Sequence, residues 1–450
     1  MTETLIISVS GVRGIVGKDL TPEFVAKYAA AMGVLIAEKG GSNAVLGRDA
    51  RTSGEMFMAA AQAGLQSVGI DVIDCGMIPT PTAQLAVEHH RAGGGIVLTA
   101  SHNPVEWNAL KLVGPDGMFL DAEDAERVRR IALEGSIERR GWDGIGGLKH
   151  DTSAILRHIE QVMALGEVDV AAVKSRRFKV ALDCARGVGG AVMPQLLESL
   201  GCEVAGLELE TDGRFSRPPE PVAENLGALG DLVRDFGADI GMAVDPDGDR
   251  LALVDETGTP IGEDYTLAFA VKAVLSGRKG PVVTNLSTSQ VVADSAAEFG
   301  VELSRSPVGE ANVARAMLAA GAVIGGEGNG GVMLPASHLG RDAPVAAALV
   351  LTMLARSDKT VSQTVSSSTR YSIVKAKVPR QGVLDDVYER LARKFSDAKQ
   401  DRRDGLHLSW EKRWLHVRPS GTEPIIRLIA EAQSVDDAEE LVSEAQEALK

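Results

Sequence analysis

Asp245, Asp247 and Asp249 sit two residues apart, with Pro246 and Gly248 between them. In an extended segment, side chains at i, i+2 and i+4 point the same way, so three carboxylates can meet one point. Held together they repel unless a cation neutralises them. Hard oxygen ligands favour Mg2+ or Ca2+. A calcium EF-hand loop would put Glu256 at its twelfth position, but its sixth, which must be Gly, is Arg250, and the flanks read as strands. That reading fails; the plain alternative is a solvated acidic turn, for which DPDG is good chemistry.

Other segments carry chemistry of different kinds. Ser101, in Thr99-Ala100-Ser101-His102-Asn103-Pro104, follows an apolar run and is either a nucleophile or a helix N-cap. Ser101 and His102 are adjacent, so their side chains diverge and make no catalytic triad alone. Gly93-Gly94-Gly95 lacks the Lys and Ser/Thr of a phosphate loop. Arg418-Pro419-Ser420-Gly421-Thr422 offers a guanidinium, two hydroxyls and a Gly backbone, a phosphate cradle or else a hairpin turn with a surface Arg. Glu327 and Asn329, spaced by glycines, suit neighbouring sugar hydroxyls, or else belong to a hinge. Arg13 lies on a Gly-flanked turn.

The elements that must position these residues repeat three times. Apolar runs begin at Ala44, Lys179 and Pro281. Helical stretches follow and end near Gly69, Gly201 and Gly300, and a second run follows each glycine, the last being Val301-Glu302-Leu303. Third runs are Gly95–Leu98, Asp239–Val244 and Ala322–Ile324. This predicts α/β architecture: three homologous βαβαβ domains with mostly parallel sheets around a central cleft. The serine, aspartate and Gly-rich segments each follow a third run, where ligands bind in open sheets. The last stretch departs from the plan and predicts a smaller α+β domain. Expected domains are 1–152, 153–257, 258–367 and 368–450.

The 450 residues carry 47 basic and 62 acidic side chains, a net charge of −15, which argues against nucleic acid as a partner. The longest apolar run, Val345–Leu354, is half a bilayer span at best, so no membrane partner is expected. Cys75, Cys184 and Cys202 form no CxxC pair, which predicts reduced thiols, no zinc site and a cytoplasmic protein.

Taken in this order, the motifs resemble the α-D-phosphohexomutase family over essentially the whole chain. The Gly-rich loop is most similar to the archaeal-type phosphoglucosamine mutases, with phosphomannomutase/phosphoglucomutase as near relatives. The resemblance implies that Ser101 is phosphorylated in the active enzyme, primed by a hexose bisphosphate. Asp245, Asp247, Asp249 and the phosphoserine would hold Mg2+. Arg13, Lys111 and Arg250 would assist transfer, with Glu327 and Asn329 reading hydroxyls. Arg418, Ser420, Gly421 and Thr422 would grip the second phosphate. The family often has His where this chain has Gly331, so His102, Lys111 or His338 would supply a base. The ligands implied are small phosphorylated sugars, interconverting glucosamine 6-phosphate and glucosamine 1-phosphate, by a monomer or homodimer. A phosphatase would not need the second grip, and a non-catalytic sugar-phosphate sensor would lack Ser101 or an aspartate.

Overall fold

The computed structural model describes residues 5–8, 11–380, 383–419 and 425–449. The first sheet contains β1 (Ile6–Ser8), β2 (Gly11–Ile15), β3 (Asn43–Arg48), β4 (Asp71–Met77), β5 (Gly95–Leu98), β6 (Trp107–Val113) and β7 (Leu148–His150), in the order β1-β2-β6-β5-β3-β4-β7. The second contains β8 (Lys179–Asp183), β9 (Glu203–Leu207), β10 (Ile240–Val244) and β11 (Leu251–Val254), in the order β11-β10-β8-β9. The third contains β12 (Val282–Asn285), β13 (Leu303–Ser306), β14 (Ile324–Glu327) and β15 (Gly331–Met333), in the order β13-β12-β14-β15. The fourth contains β16 (Ser372–Pro379), β17 (Lys399–Asp401), β18 (Leu406–Ser409), β19 (Trp414–Pro419) and β20 (Ile425–Ala432). Its strands run in the order β16-β20-β19-β18-β17, all antiparallel.

The repeat legible in the sequence is a repeat of topology. In each of the first three sheets the first strand of the unit is central, with the second and third parallel to it on either side. A fourth strand then returns antiparallel beside the third: β6 on β5, β11 on β10, β15 on β14. The apolar runs alone do not disclose this strand as part of the unit. Its consequence is that the serine, aspartate and Gly-rich segments link the third strand to the fourth, with both ends of each link fixed in the sheet. The expected run Val301-Glu302-Leu303 is displaced: β13 begins only at Leu303 and ends in Ser304-Arg305-Ser306.

The Val345–Leu354 run forms helix Ala343–Ala355, almost wholly buried. It packs against helices Asp264–Gly277, Val170–Arg176 and Ala154–Ala164, so the second and third units share one core. Each Leu or Val so buried contributes about 1.5–3 kcal/mol. Asp342 caps the helix, its Oδ1 accepting from Val345 N at 2.9 Å. The first and fourth sheets have cores of their own. Among the described residues, no helix is long and apolar enough to cross a membrane.

Candidate active site

Ser101 lies just beyond β5, and no helix starts there, which removes the N-cap alternative. Its φ is +47°, a left-handed conformation rare for a residue with a Cβ. Such a backbone persists only where its surroundings hold it. The holder is Arg51, which is buried. Its Nη2 donates to the carbonyls of Ser101 and Asn103, both at 2.6 Å. Its Nη1 donates to those of Pro104 and Trp107, at 2.7 and 2.8 Å. Nε is tied to buried Asp49 at 3.1 Å, and Asp49 also accepts from Thr99 Oγ1 at 2.6 Å. Thr99 Oγ1 in turn accepts from Ser101 N.

Ser101 Oγ donates to Asp245 Oδ2 at 2.9 Å, across the boundary between the first and second sheets. Asp245, Asp247 and Asp249 are all fully buried, and one oxygen of each lies within 4.8 Å of the others. The segment is a turn, not an extended strand. Asp245 Oδ1 accepts from the backbone N–H groups of Asp249 and Arg250, and Gly248 takes a φ of +73° that favours glycine. Asp247 Oδ2 accepts from Thr80 Oγ1 and Lys111 Nζ, both at 2.6 Å. Asp249 Oδ2 accepts from Arg341 Nη2 at 2.7 Å and Lys111 Nζ at 3.3 Å. Asp247 Oδ1 and Asp249 Oδ1 are buried with no hydrogen-bond partner among the described residues. Two orphaned carboxylate oxygens beside a third carboxylate fit a hard divalent cation.

Burial, with Asp249 and Asp247 adding to it, pushes the Asp245 carboxyl well above its ordinary range. Burial acts the same way on Asp247, but Lys111 and Thr80 outweigh it and hold that carboxyl down. Lys111 is opposed by burial yet held above its ordinary value by Asp247 and Asp249. It stays charged and is a poor base. Beside Ser101 the field changes sign. Arg250, then burial, push His102 down to about 2, so its imidazole is neutral. Burial and Arg250 also lower Arg13. Among the described residues, Arg250 forms loose ion pairs with Asp249 at 3.7 Å and Glu220 at 3.8 Å. Arg13 and Arg250 together make a positive corner that suits a phosphate dianion.

The third sheet brings Glu327, at the end of β14, to the same place through Arg341. The buried Arg341 guanidinium reaches Glu327 Oε2 at 2.9 Å as well as Asp249. Glu327 Oε1 accepts from Asn285 Nδ2 and Gly309 N at 2.8 and 3.0 Å. The protein's own donors leave Glu327 room for one further hydrogen bond, on Oε2. Asn329 is half-buried, its Oδ1 accepting from Gly331 N at 3.2 Å. His338 faces elsewhere: Nε2 meets Asp342 at 2.9 Å and Nδ1 accepts from Gly340 N, so neither nitrogen serves the aspartates. Arg418 is the penultimate residue of β19 rather than part of a loop, 3.4 Å from Asp404. None of its described contacts joins it to the other site residues. Ser420, Gly421 and Thr422 lie outside the described residues.

Arg51, Thr80 and Arg341 escape the sequence reading. Arg51 stands just after β3, in Arg48-Asp49-Ala50-Arg51, and Arg341 just before a capping Asp; charges at such element ends were the available signal.

The four domains of one family match in sequence. They are phosphoglucomutase/phosphomannomutase alpha/beta/alpha domain I at residues 5–138, domain II at 156–258, domain III at 262–371 and the C-terminal domain at 374–448. A phosphoglucomutase/phosphomannomutase of Thermococcus kodakarensis is 40% identical over 96% of this chain and 95% of its own. A probable phosphoglucosamine mutase of Methanopyrus kandleri is 36% identical over 97% and 95%. The crystal structure of a phosphoglucomutase/phosphomannomutase family protein from Burkholderia thailandensis superposes with a TM-score of 0.87, at 25% identity, covering 100% of this chain and 98% of that one. The loops that meet at Ser101, the aspartates and Glu327 are therefore those of a chain that belongs to the α-D-phosphohexomutase family, a mutase of the isomerase class.

Proposed function

We propose that the protein interconverts glucosamine 6-phosphate and glucosamine 1-phosphate through a phosphorylated Ser101. One observation carries the chemistry: Ser101 Oγ sits 2.9 Å from Asp245, beside the two partnerless carboxylate oxygens and the positive corner of Arg13 and Arg250. In this reading residues 1–152 supply the serine, 153–257 the aspartates, 258–367 the sugar contacts and 368–450 the second phosphate grip. Asp245, Asp247, Asp249 and the phosphoserine would hold Mg2+, which supplies charge neutralisation and polarises phosphoryl oxygens. Arg13, Arg250 and Lys111 stabilise charge on the phosphoryl group in flight. A free sugar hydroxyl attacks phosphorus, its new P–O bond forming as the bond to Ser101 Oγ breaks, and the hydroxyl proton ends on the released Ser101 Oγ. The bisphosphorylated sugar then turns over and returns its other phosphate to Ser101. Arg418, with Ser420, Gly421 and Thr422, holds the phosphate not being transferred. A hexose bisphosphate primes the serine.

The sugar is assigned on the Gly-rich loop and on the Methanopyrus relative's name. A second reading, glucose or mannose phosphate, draws on Arg341, which already neutralises Glu327 and weakens any charge-assisted bond to a 2-ammonium group. It also draws on the name of the Thermococcus relative. The measurement is kcat/KM on the three sugar phosphates side by side, with intact mass before and after incubation with hexose bisphosphate. A glucose or mannose preference of about tenfold, about 1.4 kcal/mol, replaces the first reading with the second. No phosphoryl gain, and no turnover of any of them, sinks both.

A further inference from the structure

The Arg341 guanidinium bridges the second and third units at the site. Nη2 meets Asp249 Oδ2 at 2.7 Å, Nη1 meets Glu327 Oε2 at 2.9 Å, and Nε lies 3.1 Å from Glu310 Oε2. Its own N–H donates to Glu310 Oε1 at 3.3 Å. The planar fork holds two carboxylates from different sheets at fixed separation, which a lysine ammonium cannot reproduce. Its path is equally constrained. A Cβ at position 331 would lie 2.2 Å from Arg341 Cδ and 2.9 Å from Cγ. The arginine stem therefore occupies the volume that any side chain at 331 needs. Burial close to complete leaves that stem little alternative room.

We infer that Arg341 is a positioning residue that fastens the sugar-reading carboxylate Glu327 to the acidic-triad residue Asp249, and that position 331 is glycine to admit it. The inference rests on the mutase reading above. It assigns Arg341 no proton transfer. Its work is to hold the hydroxyl acceptor on Glu327 in register with the phosphoryl group at Ser101, where a displacement of about 1 Å can cost about 10²-fold.

The test is a double-mutant cycle of Gly331→Ala, Arg341→Lys and the pair. Alanine at 331 pushes the guanidinium aside without removing its charge. Lysine at 341 keeps one charge, and with it the fold, but loses the fork. Each single change should raise KM and lower kcat/KM by about tenfold or more on the sugar phosphate that the wild type prefers. The pair should lose no more than the worse single, because both break one arrangement. The same non-additivity is expected in the Kd of Mn2+ for the metal-free protein by calorimetry, since each change alters the partner of Asp249. Losses that multiply in the pair, or a Gly331→Ala enzyme with wild-type KM and Mn2+ affinity, overturn the inference while the mutase reading stands. A wild type that turns over no hexose phosphate overturns both.

Discussion

Arg51 gives its whole guanidinium to holding one loop, with four carbonyls and a buried carboxylate as its partners. Removing it strands the Asp49 charge, so Arg51→Ala should destabilise the protein by about 3–5 kcal/mol in denaturant unfolding. Arg51→Lys should fold, yet lose turnover because Ser101 is no longer held at its left-handed φ; unchanged kcat would show that the loop holds itself. Ser101→Ala should abolish phosphoryl uptake, read by intact mass, with the fold retained. Asp247→Asn keeps the shape but removes the charge of a carboxylate that carries one of the two orphaned oxygens, and should lower kcat by roughly 10²-fold. Ser101 and the aspartates were readable from sequence because each motif is contiguous. Arg51 was not, since the carbonyls it holds stand some fifty residues away, beyond any local pattern. Arg341 is hidden for the same reason, its three carboxylates lying on separate segments.

Elements were legible in proportion to how apolar they are. The parallel core strands β3, β8 and β12 announce themselves as short apolar runs because they are covered on both faces. The edge strand β13 carries Ser304 and Arg305, and Arg305 donates to the carbonyls of Asn285 and Thr288, so polarity there reflects bonding that no run of apolar residues encodes. Of the fourth strands, β11 is legible as an apolar flank of the aspartates, whereas β6 and β15 escaped for other reasons. β6 carries Asn108 and Lys111 among its apolar residues, and β15 is three residues long. Arg418, expected on a loop, lies inside β19, so its backbone is fixed by pairing with Arg427 of β20. Arg418→Ala should therefore leave stability nearly unchanged while raising KM for the sugar monophosphate, because a contact made in both ground and transition states affects binding. Equal KM in the variant would make the arginine a surface residue.

At the scale of the molecule, the third and fourth sheets meet over buried acid. Glu431 of β20 accepts from Gln290 N through both oxygens, at 2.8 and 3.0 Å. Burial, opposed by that N–H, pushes its carboxyl up to about 7. Burial pushes neighbouring Asp264 up to about 8. A carboxyl raised in the folded state contributes stability that is full below its ordinary value and lost as pH rises through the raised one. The protein should thus lose up to about 3 kcal/mol relative to Glu431→Gln between pH ~5 and pH ~8. Parallel thermal melts of the two proteins check this; curves that shift together would exclude Glu431. Finally, the three-fold repeat has a consequence for inheritance. Each unit brings one loop to the site, so an exchange of the third unit between relatives would transplant the proposed sugar reader as a cassette. The graft would carry Arg341 and Gly331 with it but leave Asp249 behind. Lineages that swap this cassette can keep its fork only where the recipient's second unit already presents a carboxylate in that place.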